Sequence, residues 1–200
     1  RSLAVQALSI FGDHQDVMAC RQTGFAMLAT SSVQEVMDLA GVAHLATIES
    51  SVPFVHFFDG FRTSHEIQKV EVMDYEVYEK LIDWDAVKRF RERALTFEKP
   101  VTRGTAQNDD VYFQTRELQN KYYDAVPAIV AKYMKAISEE TGRNYAPFVY
   151  YGAEDATDVI VAMGSATETI KEAVDYLNKQ GAKVGCVVVH LYRPFAKEYL

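Results

Sequence analysis

Behind Gly12 the chain sets Asp13, His14, Gln15 and Asp16 in direct succession, with Cys20 close downstream. A carboxylate beside an imidazole can pass a proton, because histidine titrates near neutral pH and an aspartate can orient it. The same residues can instead hold a turn: a glycine bends the backbone, and Asp13 or Asp16 caps a short helix opening in "HQDVMACRQ". A second polar group, Asp59, Arg62, Ser64 and His65, lies in "DGFRTSHE". There the plain alternative is that Thr63 and Glu66 cap a helical turn while the charges stay solvated.

Other chemistries find less support. Among the five histidines no pair has metal-ligand spacing with a third ligand nearby. No G-x-G-x-x-G, P-loop or G-x-S-x-G pattern occurs, and the single glycine and hydroxyls of "MGSATET" are a weak phosphate cradle. His44 and His56 read as core histidines on a helix and in a strand. Cys20 and Cys186 are far apart and read as free, buried thiols; two cannot ligate an iron–sulfur cluster that takes four.

These residues need elements to position them. "GFAMLATSS" (24–32) predicts a short strand, and Ser32 with Glu35 forms an S-x-x-E capping box ahead of a helix. On that helix Val33, Met37, Ala40, Ala43, His44 and Ile48 share a face. "VPFVHFFD" (52–59) predicts the next strand, so a βαβ unit with parallel strands results. "DGFRTSHE" leaves the carboxyl end of its second strand, where open parallel sheets bind ligands. Farther on, Asp74 caps "YEVYEKLI", and "WDAVKRFRERAL" (84–95) predicts a helix with Trp84, Val87, Phe90 and Leu95 on its apolar side. Residues 101–117 read as a long loop, and 125–142 as a helix with Pro127 in its first turn and Gly142 at its end. After an aromatic connector (143–156), a second βαβ unit comprises 158–165, a helix closed by Gly181, and one strand over 182–195. Its apolar runs VIVAM and CVVVHL are expected to be covered on both faces.

The fold class is therefore α/β, in one domain over 1–145 and the start of a second over 146–200. Residues 146–200 are expected to be loosely held unless they pack on the first domain. A net charge of -7 argues against nucleic acid and against an anionic membrane surface. No apolar run is long enough to span a membrane, and no signal peptide opens the chain. Both ends read as interrupted, which suggests part of something larger.

The phrases "ALSIFGDHQDVMACRQTGFAMLATSSVQEVMDLAGVAHLATIESSVPFVHFFDGFRTSHEIQKVEV", "RGTAQNDDVYFQTRE", "YYDAVPAIVAKYM", "VIVAMGSATETI" and "VVVHLYRPF" closely resemble pyruvate:ferredoxin (flavodoxin) oxidoreductases along essentially the whole chain. The resemblance implies a pyrimidine-binding-type domain of thiamine enzymes, truncated at its start, followed by the start of a transketolase C-terminal-like domain. It implies a cytoplasmic, homodimeric parent that converts pyruvate and coenzyme A to acetyl-CoA and carbon dioxide. Electrons would pass to ferredoxin or flavodoxin. Thiamine diphosphate, Mg2+ and [4Fe-4S] clusters would serve the parent, with none fully bound by this segment, which alone would be inactive.

By the same resemblance Arg1 matches the arginine that binds the pyruvate carboxylate, a task suited to its planar, permanently charged fork. No catalytic, cofactor-binding or metal-binding residue is assigned within the segment. His14 is expected to brace the loop beside the pyruvate-binding strand. Two alternatives stand beside this reading: a 2-oxoacid:acceptor oxidoreductase for another oxoacid, and a non-catalytic α/β assembly module.

Overall fold

A computed structural model describes residues 6–102 and 104–200. After a short helix α1 (Gln15–Ala19), the first βαβ unit runs β1 (Ala26–Ala29), α2 (Val33–Ser50) and β2 (Phe54–Phe57). The expected capping box forms: Ser32 Oγ accepts from the Glu35 amide (3.2 Å), and Glu35 Oε2 accepts from the Ser31 amide (2.6 Å). α3 (Tyr75–Leu81), α4 (Trp84–Glu92), α5 (Asp109–Leu118) and α6 (Asn120–Tyr123) lead to α7 (Val126–Thr141). α7 starts with its proline and ends at Gly142, whose φ of 71° suits a residue without Cβ.

The remaining chain supplies β3 (Phe148–Gly152), β4 (Asp158–Ala162), α8 (Ala166–Lys179), β5 (Val184–Val189) and β6 (Leu191–Arg193). Two three-stranded sheets result, ordered β2-β1-β6 and β3-β5-β4. β1 pairs parallel with β2, and β4 with β5, as expected for two βαβ units.

Period-two alternation splits β1 between two cores. Ala26 and Leu28 face α2 and α7 together with Leu39, Val42, Val130, Met134 and Leu191. Met27 and Ala29 face the other way, against Phe57, Val17, Met18 and Met163. The α2–α7 junction also buries a charge. Asp38 accepts from Arg143 (2.7 and 3.3 Å), from the Tyr145 hydroxyl (2.6 Å) and from Gln34 (3.2 Å). Arg143 is drawn further by Glu71 (2.8 Å), so this buried carboxylate is paired and fully hydrogen-bonded.

Several expectations are corrected. The connector 143–156 contains β3, whose run Phe148-Val149-Tyr150-Tyr151 has the aromatic and β-branched composition of a strand and pairs antiparallel with β5. The single strand expected over 182–195 is two: the chain leaves the second sheet at His190, and β6 joins β1 antiparallel. The amides of His190 and Leu191 both donate to the Pro147 carbonyl (3.0 and 3.1 Å) at that switch.

The loop expected at 101–117 turns helical at Asp109, where Asp109 and Asp110 complement the positive helix start. Asp74 precedes α3 without a side-chain cap bond. His44 is on the solvent side of α2, whose buried face runs through Leu39, Val42, Ala43 and Ala46. Trp84, Phe90 and Leu95 are exposed because α4 inserts only Ala86 into the protein. β4 is also largely exposed, so its apolar run is not covered on both faces.

Candidate functional site

The carboxyl ends of β1 and β2 gather the polar stretches singled out in the sequence. Residues 8–14 lie against the loop after β2. The Gly12 amide donates to the Gly60 carbonyl (3.4 Å), the Phe11 and Phe61 rings meet edge-on at 4.6 Å, and Arg62 sits over the Phe11 ring (5.4 Å). Asp59, just past β2, is buried at 3% exposure. One of its oxygens accepts from His14 Nε2 and the other from the Ser165 amide. "GDHQD", "DGFRTSHE" and "MGSATET" therefore converge on one carboxylate, although they are far apart in sequence.

Gly164 makes this approach possible. Its φ is +76°, and a Cβ there would lie 2.8 and 2.9 Å from the Asp59 oxygens and 3.0 Å from His14 Cε1. Burial alone would raise the Asp59 pKa, but hydrogen bonds from His14 and Ser165 outweigh it and hold the carboxyl below its ordinary value. An ionised carboxylate with both oxygens engaged is a clamp and not a proton donor. His14 is thereby tied to the loop after β2 through Asp59. Asp13 Oδ1 accepts from the Gln15 amide (2.8 Å), which holds the turn into α1.

A second clamp lies at the end of β1. His190 is buried, its Nδ1 donates to the Ala146 carbonyl (2.9 Å), and its Nε2 faces Glu35 Oε2 at 3.4 Å without a hydrogen bond between them. Burial raises the Glu35 pKa, but His190 and the Ser31 amide overcome this and leave it below the ordinary value. The Ala29 amide donates to the His190 carbonyl (2.7 Å), so the backbone ties the two sheets together here. His190 was missed in the sequence, where the available signal was one polar residue within "CVVVHLY".

The other candidates divide between buried and exposed. Arg62, Ser64 and His65 are exposed; Ser64 Oγ lies 2.8 Å from His65 Nδ1 and accepts from the Phe61 amide (2.8 Å). His65 stacks on Phe61 at 4.9 Å. Thr63 is buried, and its Oγ1 and Ser31 Oγ lack hydrogen-bond partners among the described residues. These hydroxyls are buried beyond the carboxyl ends of β1 and β2. His56, within β2, has its pKa lowered by burial and then by the nearby His44 charge. Cys20 and Cys186 are both free, and burial pushes the Cys186 thiol up. Among the described residues no cluster of three His, Cys, Asp or Glu side chains is placed to hold a metal ion. No helix is long and apolar enough to cross a membrane. Arg1 lies outside the described residues.

Comparison with known proteins places this arrangement in a family. Residues 1–135 match the family described as "Pyruvate flavodoxin/ferredoxin oxidoreductase, thiamine diP-bdg", and residues 156–200 match "Pyruvate:ferredoxin oxidoreductase core domain II". A pyruvate:ferredoxin oxidoreductase of Moorella thermoacetica is 62% identical over 199 residues, covering 100% of this chain and 17% of the relative. A pyruvate-flavodoxin oxidoreductase of Enterobacter agglomerans shows the same identity and coverage. A pyruvate dehydrogenase [NADP(+)] of Cryptosporidium parvum is 53% identical over 197 residues, covering 98% of this chain and 10% of the relative. The chain thus spans about a sixth of the length of the first two relatives. With a family model covering more than half its length, the chain belongs to the thiamine-diphosphate-binding family of pyruvate flavodoxin/ferredoxin oxidoreductases.

Proposed function

We propose that these residues are part of a longer enzyme that oxidatively decarboxylates pyruvate with coenzyme A to acetyl-CoA and carbon dioxide. In this reading ferredoxin or flavodoxin takes the electrons, and the parent is a cytoplasmic homodimer. The observation that carries it is 62% identity along the whole chain to a relative named pyruvate:ferredoxin oxidoreductase. This reading divides the chain into domains over 1–145 and 146–200, and it is supported by two family matches that end at 135 and begin at 156.

In this reading the chain contributes one edge of a thiamine diphosphate site. Support comes from the match of residues 1–135 to a family described as thiamine-diphosphate-binding. When bound, the cofactor supplies the carbanion chemistry that makes decarboxylation of a 2-oxoacid accessible. Mg2+ and the [4Fe-4S] clusters belong to other parts of the parent, and this segment alone is inactive. The role of the described residues is to hold the edge: Asp59 fixes His14 and the turn into α1, and the Ala29–His190 backbone bond fixes the end of β1. Arg1 then pairs with the substrate carboxylate.

Arg1→Ala in the full-length parent tests this assignment. A lost charge-assisted hydrogen bond of about 1.5–3 kcal/mol raises KM for pyruvate roughly 10- to 100-fold. Binding of thiamine diphosphate is unchanged. An unaltered KM removes Arg1 from the site, and a parent that fails to reduce any acceptor with pyruvate and coenzyme A removes the functional reading itself. The Cryptosporidium parvum relative carries a closely similar segment under a name that includes NADP(+). That observation favours a second reading for the acceptor alone: electrons leave through parts of the parent beyond these residues.

A further inference from the structure

At the amino ends of β1 and β2, opposite the site above, lies a cavity of about 850 Å³ lined by Arg93, Arg116 and Arg193. Its walls include Phe25, which leads into β1, and Val52 and Pro53, which lead into β2. Among the described residues no Asp or Glu lines it, although the chain as a whole carries a net charge of -7.

Each guanidinium is positioned by a neutral acceptor. Arg93 donates to Ser51 Oγ (3.0 Å), Arg116 to Gln119 Oε1 (2.8 Å), and Arg193 to the Tyr123 hydroxyl (3.3 Å). Arg143 shows the alternative: its guanidinium is neutralised by Asp38 and Glu71 at 2.7 and 2.8 Å. In the cavity the charges are oriented but not cancelled. Three such forks on separate elements match carboxylates geometrically.

The surroundings identify the source of those carboxylates. Phe90 lines the cavity itself, and the elements that carry Arg93 and Arg116, with the stretch between them, also expose Leu95, Phe97, Phe113 and Leu118. Exposed apolar side chains on the elements that carry these arginines favour a protein contact, since small ligands do not cover ground outside their pocket. The chain spans 17% of the length of its first relatives, so most of such a polypeptide lies beyond these residues.

We infer that the amino-end cavity is a docking site for an acidic, apolar-flanked polypeptide segment contributed by the parent protein from outside these 200 residues. The inference rests on the reading of the chain as part of a longer protein, and not on which reaction that protein catalyses. Docking here secures the sheet at the end remote from the cofactor edge.

The test uses the full-length parent with Arg93→Lys, Arg116→Lys or Arg193→Lys. Each variant places a primary amine in the cavity, which a carbodiimide couples to a carboxylate in contact, forming an amide with loss of water. Peptide mass spectrometry is expected to find coupling to an Asp or Glu outside residues 1–200. Mixed isotope-labelled protein then tells whether that residue belongs to the same chain or to a second copy. Should a lysine variant fail to fold, phenylglyoxal labelling of the unaltered parent gives an independent reading: the three arginines react several-fold more slowly than Arg62 and Arg91. Free labelling of all three, slowed only by added inorganic pyrophosphate, overturns the inference in favour of a small-anion site. Coupling solely to residues within 1–200 overturns it as well. A parent that oxidises pyruvate while leaving the arginines free keeps its function and loses this interface.

Discussion

The chain builds two strand–helix–strand units of the same plan, β1–α2–β2 and β4–α8–β5, and they meet opposite environments. In β1 the run Ala26-Met27-Leu28-Ala29 is 0–1% exposed throughout. In β4 the more strongly apolar run Val159-Ile160-Val161 is 48, 54 and 62% exposed. Position in the sheet explains the contrast. β1 is central, flanked by β2 and β6, with cores on both faces. β4 is an edge, and the second core, around Val174, Cys186 and Val188, is centred on β5 and α8. An apolar run thus sets a demand for cover, and tertiary position decides whether the same stretch of chain meets it.

The largest test of that contrast compares two core-type truncations. Leu28→Ala removes a fully buried side chain and should destabilise the 200-residue chain by about 3 kcal/mol. Ile160→Ala in the same chain should cost roughly 0.5 kcal/mol or less, as at other exposed sites. Urea unfolding of both variants measures the difference directly. In the longer parent the Ile160 effect should grow above about 1 kcal/mol, because cover there restores a hydrophobic cost. Equal effects of the two substitutions in the 200-residue chain would erase the contrast.

A smaller effect is expected where the two units are tied together. Gly164 and Gly181 both have positive φ, +76° and +89°, but only Gly164 faces Asp59 and His14; nothing lies within 4 Å of a Cβ at 181. Gly181→Ala should therefore register backbone strain alone, about 1 kcal/mol. Gly164→Ala adds displacement of the Asp59 hydrogen bonds and should cost about 2–3 kcal/mol. Hydrogen exchange should locate the added loss in α8 and in residues 12–16. Indistinguishable costs at the two glycines would mean that the Asp59 clamp does not hold the units together.

The parts of this architecture that were legible in the sequence depend on local chemistry. The Ser32–Glu35 capping box, the Gly142 stop and both βαβ units follow from periodicity and caps, which act over a few residues. The roles of His14 and Asp59 were only half legible, because the Ser165 amide that engages the same carboxylate arrives from far along the chain. β6 was missed for the same reason, whereas β3 carried a local strand composition that was read as a connector. The pairing of β6 with β1 is set by a strand switch at His190 that only tertiary pairing fixes. The cavity arginines were absorbed into helix and strand patterns, since a missing counter-charge shows only when neighbours are known.

The smallest effect concerns pH and compares the two clamps that join the sheets. Asp59 and Glu35 both have folded-state pKa values held below their ordinary values of 3.8 and 4.5, against the opposing push of burial. A depressed folded value means that the unfolded chain binds the proton more readily. The stabilisation is therefore complete above the unfolded values and is lost as pH falls through them toward the folded ones. Unfolding free energy should begin to fall below about pH 4.5, with Glu35 responding before Asp59. Glu35→Gln should flatten the upper part of that decline and Asp59→Asn the lower part, each with reduced stability at pH 7. Titrating both variants by urea unfolding between pH 3 and 7 separates the clamps. If the double variant keeps the wild-type slope, the acid sensitivity lies elsewhere, and the sheets are joined by the His190 backbone bonds and apolar packing instead.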